Sequence, residues 1–131
     1  MRTRSVLWSL LLSLVLLGPL AAAPARADES AAVAVVTHID IIPDSTGQAP
    51  PAAVALLKQF VLDSRSDPGV EAFALITWSP TTNHFQLLEL YNNRAAFDRH
   101  VSAAHTIAFR DNLQQYIGAP YDERLYHPVD W

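Results

Sequence analysis

The sequence has no cysteine. That excludes disulfides, a lipid-anchoring cysteine, thiolate metal sites and a cysteine nucleophile. Lysine is almost as scarce, with Lys58 the sole example, and the nine basic residues are outnumbered by 13 acidic ones. No basic stripe exists to neutralise phosphates, so neither nucleic acid nor an anionic membrane surface is an expected partner. No internal repeat occurs at a solenoid period. Nor does any apolar run reach the roughly 20 residues a helix needs to cross a hydrocarbon core.

The longest such run, Val6 to Leu17 (VLWSLLLSLVLL), follows Arg2 and Arg4 and precedes Gly18-Pro19 and the small-residue stretch AAAPARA. This order is that of a secretory signal peptide, with Ala25-Arg26-Ala27 as the small-x-small cleavage pattern. Residues 1–27 are therefore expected to be removed after Ala27, giving a secreted or periplasmic protein without a membrane anchor. The remaining domain, residues 28–131, has 104 residues with six basic against 13 acidic side chains, a net charge of −7. Its partners should be small and neutral or apolar. A chain of about 100 residues buries a modest share of its surface, which makes dimerisation a route to further burial.

Within the domain, Val33 to Ile42 (VAVVTHIDII) is rich in β-branched residues and predicts a strand. Alternation turns Val33, Val35, Thr37, Ile39 and Ile41 one way, and His38 the other. Pro50-Pro51 opens a helix through AAVALLKQFVLDSR, whose apolar positions recur at helical spacing. Asp67-Pro68-Gly69 ends that unit. Val70 to Trp78 and His84 to Tyr91 predict a hairpin. Asn92-Asn93 offers a helix cap for a short helix to His100, and Ser102 a cap for a second helix running to about Ile117, stopped by Gly118 and Pro120. Tyr121 to Val129 supplies a last strand, interrupted at Pro128. The order is β-α-β-β-α-β, an α+β ferredoxin-like arrangement with an antiparallel sheet.

On the last helix His105, Phe109, Leu113, Tyr116 and Ile117 share one face, which puts an imidazole at the start of the apolar stripe. There it can accept a proton from a phenolic or enolic hydroxyl as a general base, or it can be a core histidine bonded to a carbonyl. His100 closes the preceding helix and can border the same pocket. The spacing HVSAAH is not the i, i+4 pair of a helical metal site and no ligand-rich loop adjoins it, so no metal is expected. Glu89 interrupts the stripe Phe85, Leu87, Tyr91 and must be paired, for instance with Arg99 or Arg110, or functional. Phe73, Trp78, Tyr91 and Phe97 can wall an aromatic pocket or serve as core. His38 and Glu89 could join the histidine cluster.

The strand FQLLELYNN followed by RAAFDRHVSAAH resembles the antibiotic biosynthesis monooxygenase (ABM) family. The family's strand ends in Glu-x-aromatic and leads into a helix with a His and then a further His. Ser64-Arg65-Ser66-Asp67-Pro68-Gly69-Val70 resembles the family's Ser-Arg-x-Glu-Pro-Gly-Cys segment, and the similarity runs from about Val33 to Pro128. It implies a homodimer whose two sheets form an α/β-barrel, with a pocket between sheet and helices in each protomer. Known members include monooxygenases of hydroquinones and polycyclic phenols that need no cofactor, heme-degrading enzymes and an isomerase. The resemblance implies His105 as base and His100 as orienter, with a small aromatic substrate and oxygen as co-substrate; His38, Trp78, Glu89, Tyr91, Phe97 and Phe109 are the candidate substrate-binding residues, and a non-catalytic small-ligand-binding protein or an oxygen-independent isomerase using the same histidines are the alternatives. Tyr91 departs from the tryptophan of Glu-x-Trp members. The residues that heme degradation requires are replaced here by Thr37 or His38, His100 and Arg110.

Overall fold

A computed structural model describes residues 29–78, 80 and 82–129, so the expected signal peptide lies outside the described residues. The elements are β1 (Val33–Asp40), α1 (Pro51–Ser64), β2 (Val70–Thr77), β3 (His84–Tyr91), α2 (Arg94–Ser102), α3 (Ala104–Leu113) and β4 (Asp122–Tyr126). The four strands form one sheet in the order β2-β3-β1-β4, every neighbouring pair antiparallel. This is the α+β ferredoxin-like fold expected from the element order.

Alternation decides which face the helices cover. Val33, Val35, Thr37, Ile39 and Ile41 of the first strand segment are buried, as are Phe85, Leu87, Glu89 and Tyr91 of β3. Onto this face α1 delivers Ala53, Leu57, Phe60, Val61 and Ser64, a stripe at helical spacing. Phe109 and Leu113 of α3 complete the larger core cluster, while Val33, Val35, Tyr91, Ala96 and Phe97 make a second one under α2. The opposite face carries no helix among the described residues. Its centre holds the half-buried Ala34, Val36, Ala74, Leu88 and Leu90, with His38 and the 45% exposed Ile76 farther out.

Asn93 caps α2 as its side chain predicts, accepting from the Ala96 N–H at 2.9 Å. The next helix begins differently from expectation. Ser102 is the last residue of α2, its hydroxyl donating back to the Asp98 carbonyl, and the extended Ala103 starts α3 without a side-chain cap. The helix ends at Leu113 rather than near Ile117, because Ile117 bridges to Ile41. β4 is likewise shorter than Tyr121 to Val129. Pro128 has no N–H to offer the ladder.

Candidate functional site

The turn after α1 fixes the site's first member. Gly69 adopts φ +86°, and a Cβ on it would meet the Ala96 Cβ at 2.6 Å and the Asn92 Oδ1 at 2.7 Å. Only glycine supplies both the left-handed backbone and the close approach. The Asn92 N–H donates to the Gly69 carbonyl at 2.9 Å, which ties the turn to the start of α2. Asp67, two residues earlier, is thereby held beside the α2–α3 junction.

There its Oδ2 lies 2.8 Å from His100 Nδ1 and 3.1 Å from His105 Nε2. The two contacts differ in kind. The first is a hydrogen bond, whereas His105 Nε2 is buried and makes none. His100 is 3% exposed, wedged among Phe60, Phe73 and Tyr91. Burial pushes its pKa below the ordinary histidine value, and the Asp67 hydrogen bond and charge offset part of that shift. The imidazole is therefore neutral near neutral pH. With Nδ1–H donated to Asp67, the accepting nitrogen is Nε2.

His100 lines a cavity between sheet and helices, of about 20 Å³, room for one water. Phe60, Leu87, Phe97 and Phe109 make its apolar walls, and Phe60 stacks on Phe109 with ring centroids 3.8 Å apart. Its other polar lining is Thr37, Glu89, Arg110 and Glu123. The Thr37 hydroxyl is buried without a hydrogen-bond partner. Such an orphan on a cavity wall is a place for a ligand or water oxygen.

Glu89 is 8% exposed and accepts from the Tyr91 hydroxyl at 2.6 Å. Burial raises its pKa to about 7; the Glu123 charge adds to the rise, while the Tyr91 bond and Arg110 oppose it. Tyr91 itself is pushed well above the usual phenol value by burial and by Glu89, so it remains a donor throughout the accessible pH range. Neither arginine proposed from sequence pairs with Glu89 directly. Arg110 donates to Glu123 at 2.9 Å and stands over the Tyr121 ring, while Arg99 donates to the Pro68 carbonyl. Arg110 and Glu123 are 31% and 26% exposed, which makes them the solvent-side cover of the cavity.

Of the residues singled out in the sequence, Glu89, Phe97, His100 and Phe109 meet at this cavity, and Tyr91 backs Glu89. The others lie elsewhere. His38 is exposed on the helix-free face beside Gln86, because alternation turns it away from Thr37 and Ile39. Trp78 is 60% exposed just beyond β2, edge-on to His84. His105 borders the groove between α1 and α3, not the cavity. Asp67 is the member of this site that is not among the candidate site residues read from the sequence. Its signal is the Asp-Pro-Gly turn, which reads as punctuation until the fold sets it against His100.

Residues 32–112 match the family model for antibiotic biosynthesis monooxygenase. A Synechocystis protein, sll1783, is 27% identical over 94 residues, 72% of this chain; the chain spans 61% of that protein's length. Among solved structures, Rv0793 of Mycobacterium tuberculosis superposes with a TM-score of 0.68 at 24% identity, covering 76% of this chain and 97% of that one. A structure from Nitrosomonas europaea described as a putative antibiotic biosynthesis monooxygenase gives 0.68 at 18% identity, covering 79% and 96%.

Proposed function

Because the chain belongs to the antibiotic biosynthesis monooxygenase family, we propose that it oxidises a small aromatic hydroquinone or phenol with molecular oxygen and without a cofactor. The observation that carries this reading is His100, a buried neutral imidazole on an apolar cavity wall, with Asp67 on its other nitrogen. Asp67 holds the tautomer, and His100 Nε2 takes the proton of the substrate hydroxyl. The role of base thus moves from His105 to His100.

The phenolate formed is electron-rich enough to pass one electron to oxygen. The resulting aryloxyl radical and superoxide combine at a ring carbon, and His100 returns its proton to the peroxide. Loss of water leaves a new carbonyl. In sum a hydroquinone and O₂ give a hydroxyquinone and water, with all four electrons supplied by the substrate. Apolar walls that exclude water favour this chemistry, and the Thr37 hydroxyl and Arg110 are donors for the oxyanion. A six-membered ring exceeds a one-water cavity, so binding must displace side chains. The half-exposed Arg110 and Glu123 are the ones free to swing toward solvent.

Two further parts of the reading concern assembly and location. The aliphatic centre of the helix-free face, Val36, Ala74, Leu88 and Leu90, suits burial against the same face of a second copy. Export is tested by the N-terminus of the protein recovered from periplasm or medium, expected at Asp28.

The primary test is enzyme-dependent oxygen uptake over a panel of hydroquinones, corrected for autoxidation. Uptake lost in His100→Ala supports the proposal; uptake no greater than background overturns it. One observation favours a second reading, an oxygen-independent isomerase. Glu89 and His100 line the same cavity, an acid and a base for moving a proton between two carbons. Turnover that persists without oxygen would select it.

A further inference from the structure

The spacing of His100 and His105 in the sequence argues against a metal, since it is neither a helical i, i+4 pair nor accompanied by a third ligand nearby in the chain. Tertiary structure supplies that third ligand. Asp67 arrives from the turn after α1, His100 from the last turn of α2 and His105 from the first turn of α3, and their ligand atoms lie within 4.8 Å of one another. We propose that Asp67, His100 and His105 form a binding site for one divalent transition-metal ion of the zinc class.

Three observations carry the inference. The donor set, two imidazoles and one carboxylate, is the borderline-soft N/O combination that zinc and its neighbours prefer over calcium or magnesium. The geometry is nearly right: Asp67 Oδ2 stands 2.8 and 3.1 Å from the two imidazole nitrogens. Ligands at metal bonds of about 2.0–2.1 Å in a tetrahedron sit about 3.3 Å apart, so the carboxylate oxygen moves outward by a few tenths of an ångström and the imidazole nitrogens, within 4.8 Å of each other, adjust to that spacing as the ion enters. Last, His105 Nε2 is buried with no hydrogen-bond partner although it stands 3.1 Å from the same carboxylate oxygen. A proton shared along Asp67–His100 satisfies His100 and leaves His105 unsatisfied; a metal ion satisfies both.

Asp67 and His105 have side-chain exposures of 17% and 25%, so although His105 Nε2 is itself buried the cluster lies near enough to the surface for an ion to arrive with a water as fourth ligand. The site is distinct from the cavity, because neither Asp67 nor His105 lines it. The two are coupled through His100 alone. Its Nδ1 can donate a proton to Asp67 or give its lone pair to the metal, not both, so a loaded site leaves the proton on Nε2 and removes the accepting nitrogen. On the proposed function, zinc is then an inhibitor.

Equilibrium dialysis of the purified protein against Zn²⁺, read by elemental analysis, tests binding independently of any activity. One equivalent per chain is expected in the wild type, and its loss in both Asp67→Asn and His105→Gln. His105→Gln is the variant expected to keep the fold, since the replaced nitrogen makes no hydrogen bond, and its circular dichroism is recorded alongside. His84→Gln disrupts the other histidine–aspartate pair, His84–Asp40, and should leave the equivalent in place. Co²⁺ substitution should give visible d–d bands that His105→Gln abolishes. Less than one equivalent in the wild type, or an equivalent lost only in His84→Gln, overturns the proposal.

Discussion

The Tyr91 hydroxyl donates to the Glu89 carboxylate at 2.6 Å from two positions along the same strand, both side chains on the helix-covered face of the sheet. A strand brings residues i and i+2 to one face, so the pair is local in sequence although it lies at the centre of the interface. The bond satisfies one acceptor site of a buried carboxyl. It leaves Glu89 with a proton affinity set mainly by burial.

That affinity has a consequence for stability. The folded pKa of Glu89 is raised from 4.5 to about 7, so the folded state binds its proton more tightly than the unfolded state does. The contribution to stability is full below pH 4.5 and is lost as pH rises to about 7, amounting to about 3 kcal/mol. Glu89→Gln keeps an acceptor for Tyr91 and removes the titration. Urea unfolding of both proteins across this range should show the wild type losing ground to the variant as pH rises; a pH-independent difference would reject the assignment.

Activity should depend on the Asp67–His100 pair as a unit. His100→Ala is expected to lower kcat/KM for a hydroquinone by about 10²–10⁴-fold, the usual weight of a general base. Asp67→Asn should fall in the same range by permitting the wrong tautomer. His105→Ala, which alters no cavity wall, should lose less than about tenfold. Equal losses in His105→Ala and His100→Ala would return the base role to His105.

Gly69→Ala combines a left-handed backbone with a contact of 2.6 Å to Ala96. The expected cost is at least about 2 kcal/mol, visible as a lower Tm. Since the turn also positions Asp67, kcat should fall further than the fraction of unfolded protein explains. A variant with wild-type Tm would show that α2 shifts freely, contrary to the packing described.

Leu88 sits half-buried on the helix-free face, opposite Val36 and Ala74 in the ladder. Leu88→Asp is expected to convert a dimer to a folded monomer, measured by sedimentation or light scattering with circular dichroism as the check on folding. A monomeric wild type would remove the dimer from the proposed function.

Much of the architecture is legible in residue order. The limits of β3, the Asn93 cap and the helix stripe of Ala53, Leu57, Phe60, Val61 and Ser64 follow from period and turn chemistry. Glu89 stands out because it breaks an apolar alternation. His38 is placed by the same alternation, which turns it away from the apolar face of β1 to a separate pocket it lines with Trp78. The break between α2 and α3 was less legible, because Ser102 looks like a cap whether it begins one helix or ends another.

Spacing within a few residues encodes most of the secondary structure, the two-faced sheet, the out-of-place carboxylate and the two neighbouring histidines. Which histidine faces the cavity, and what lies beside it, is a matter of how distant segments pack. Asp67 is 33 residues from His100, and their 2.8 Å contact exists because Gly69 lets one turn close on the start of α2. Such placements come from packing between distant segments, which no local periodicity encodes.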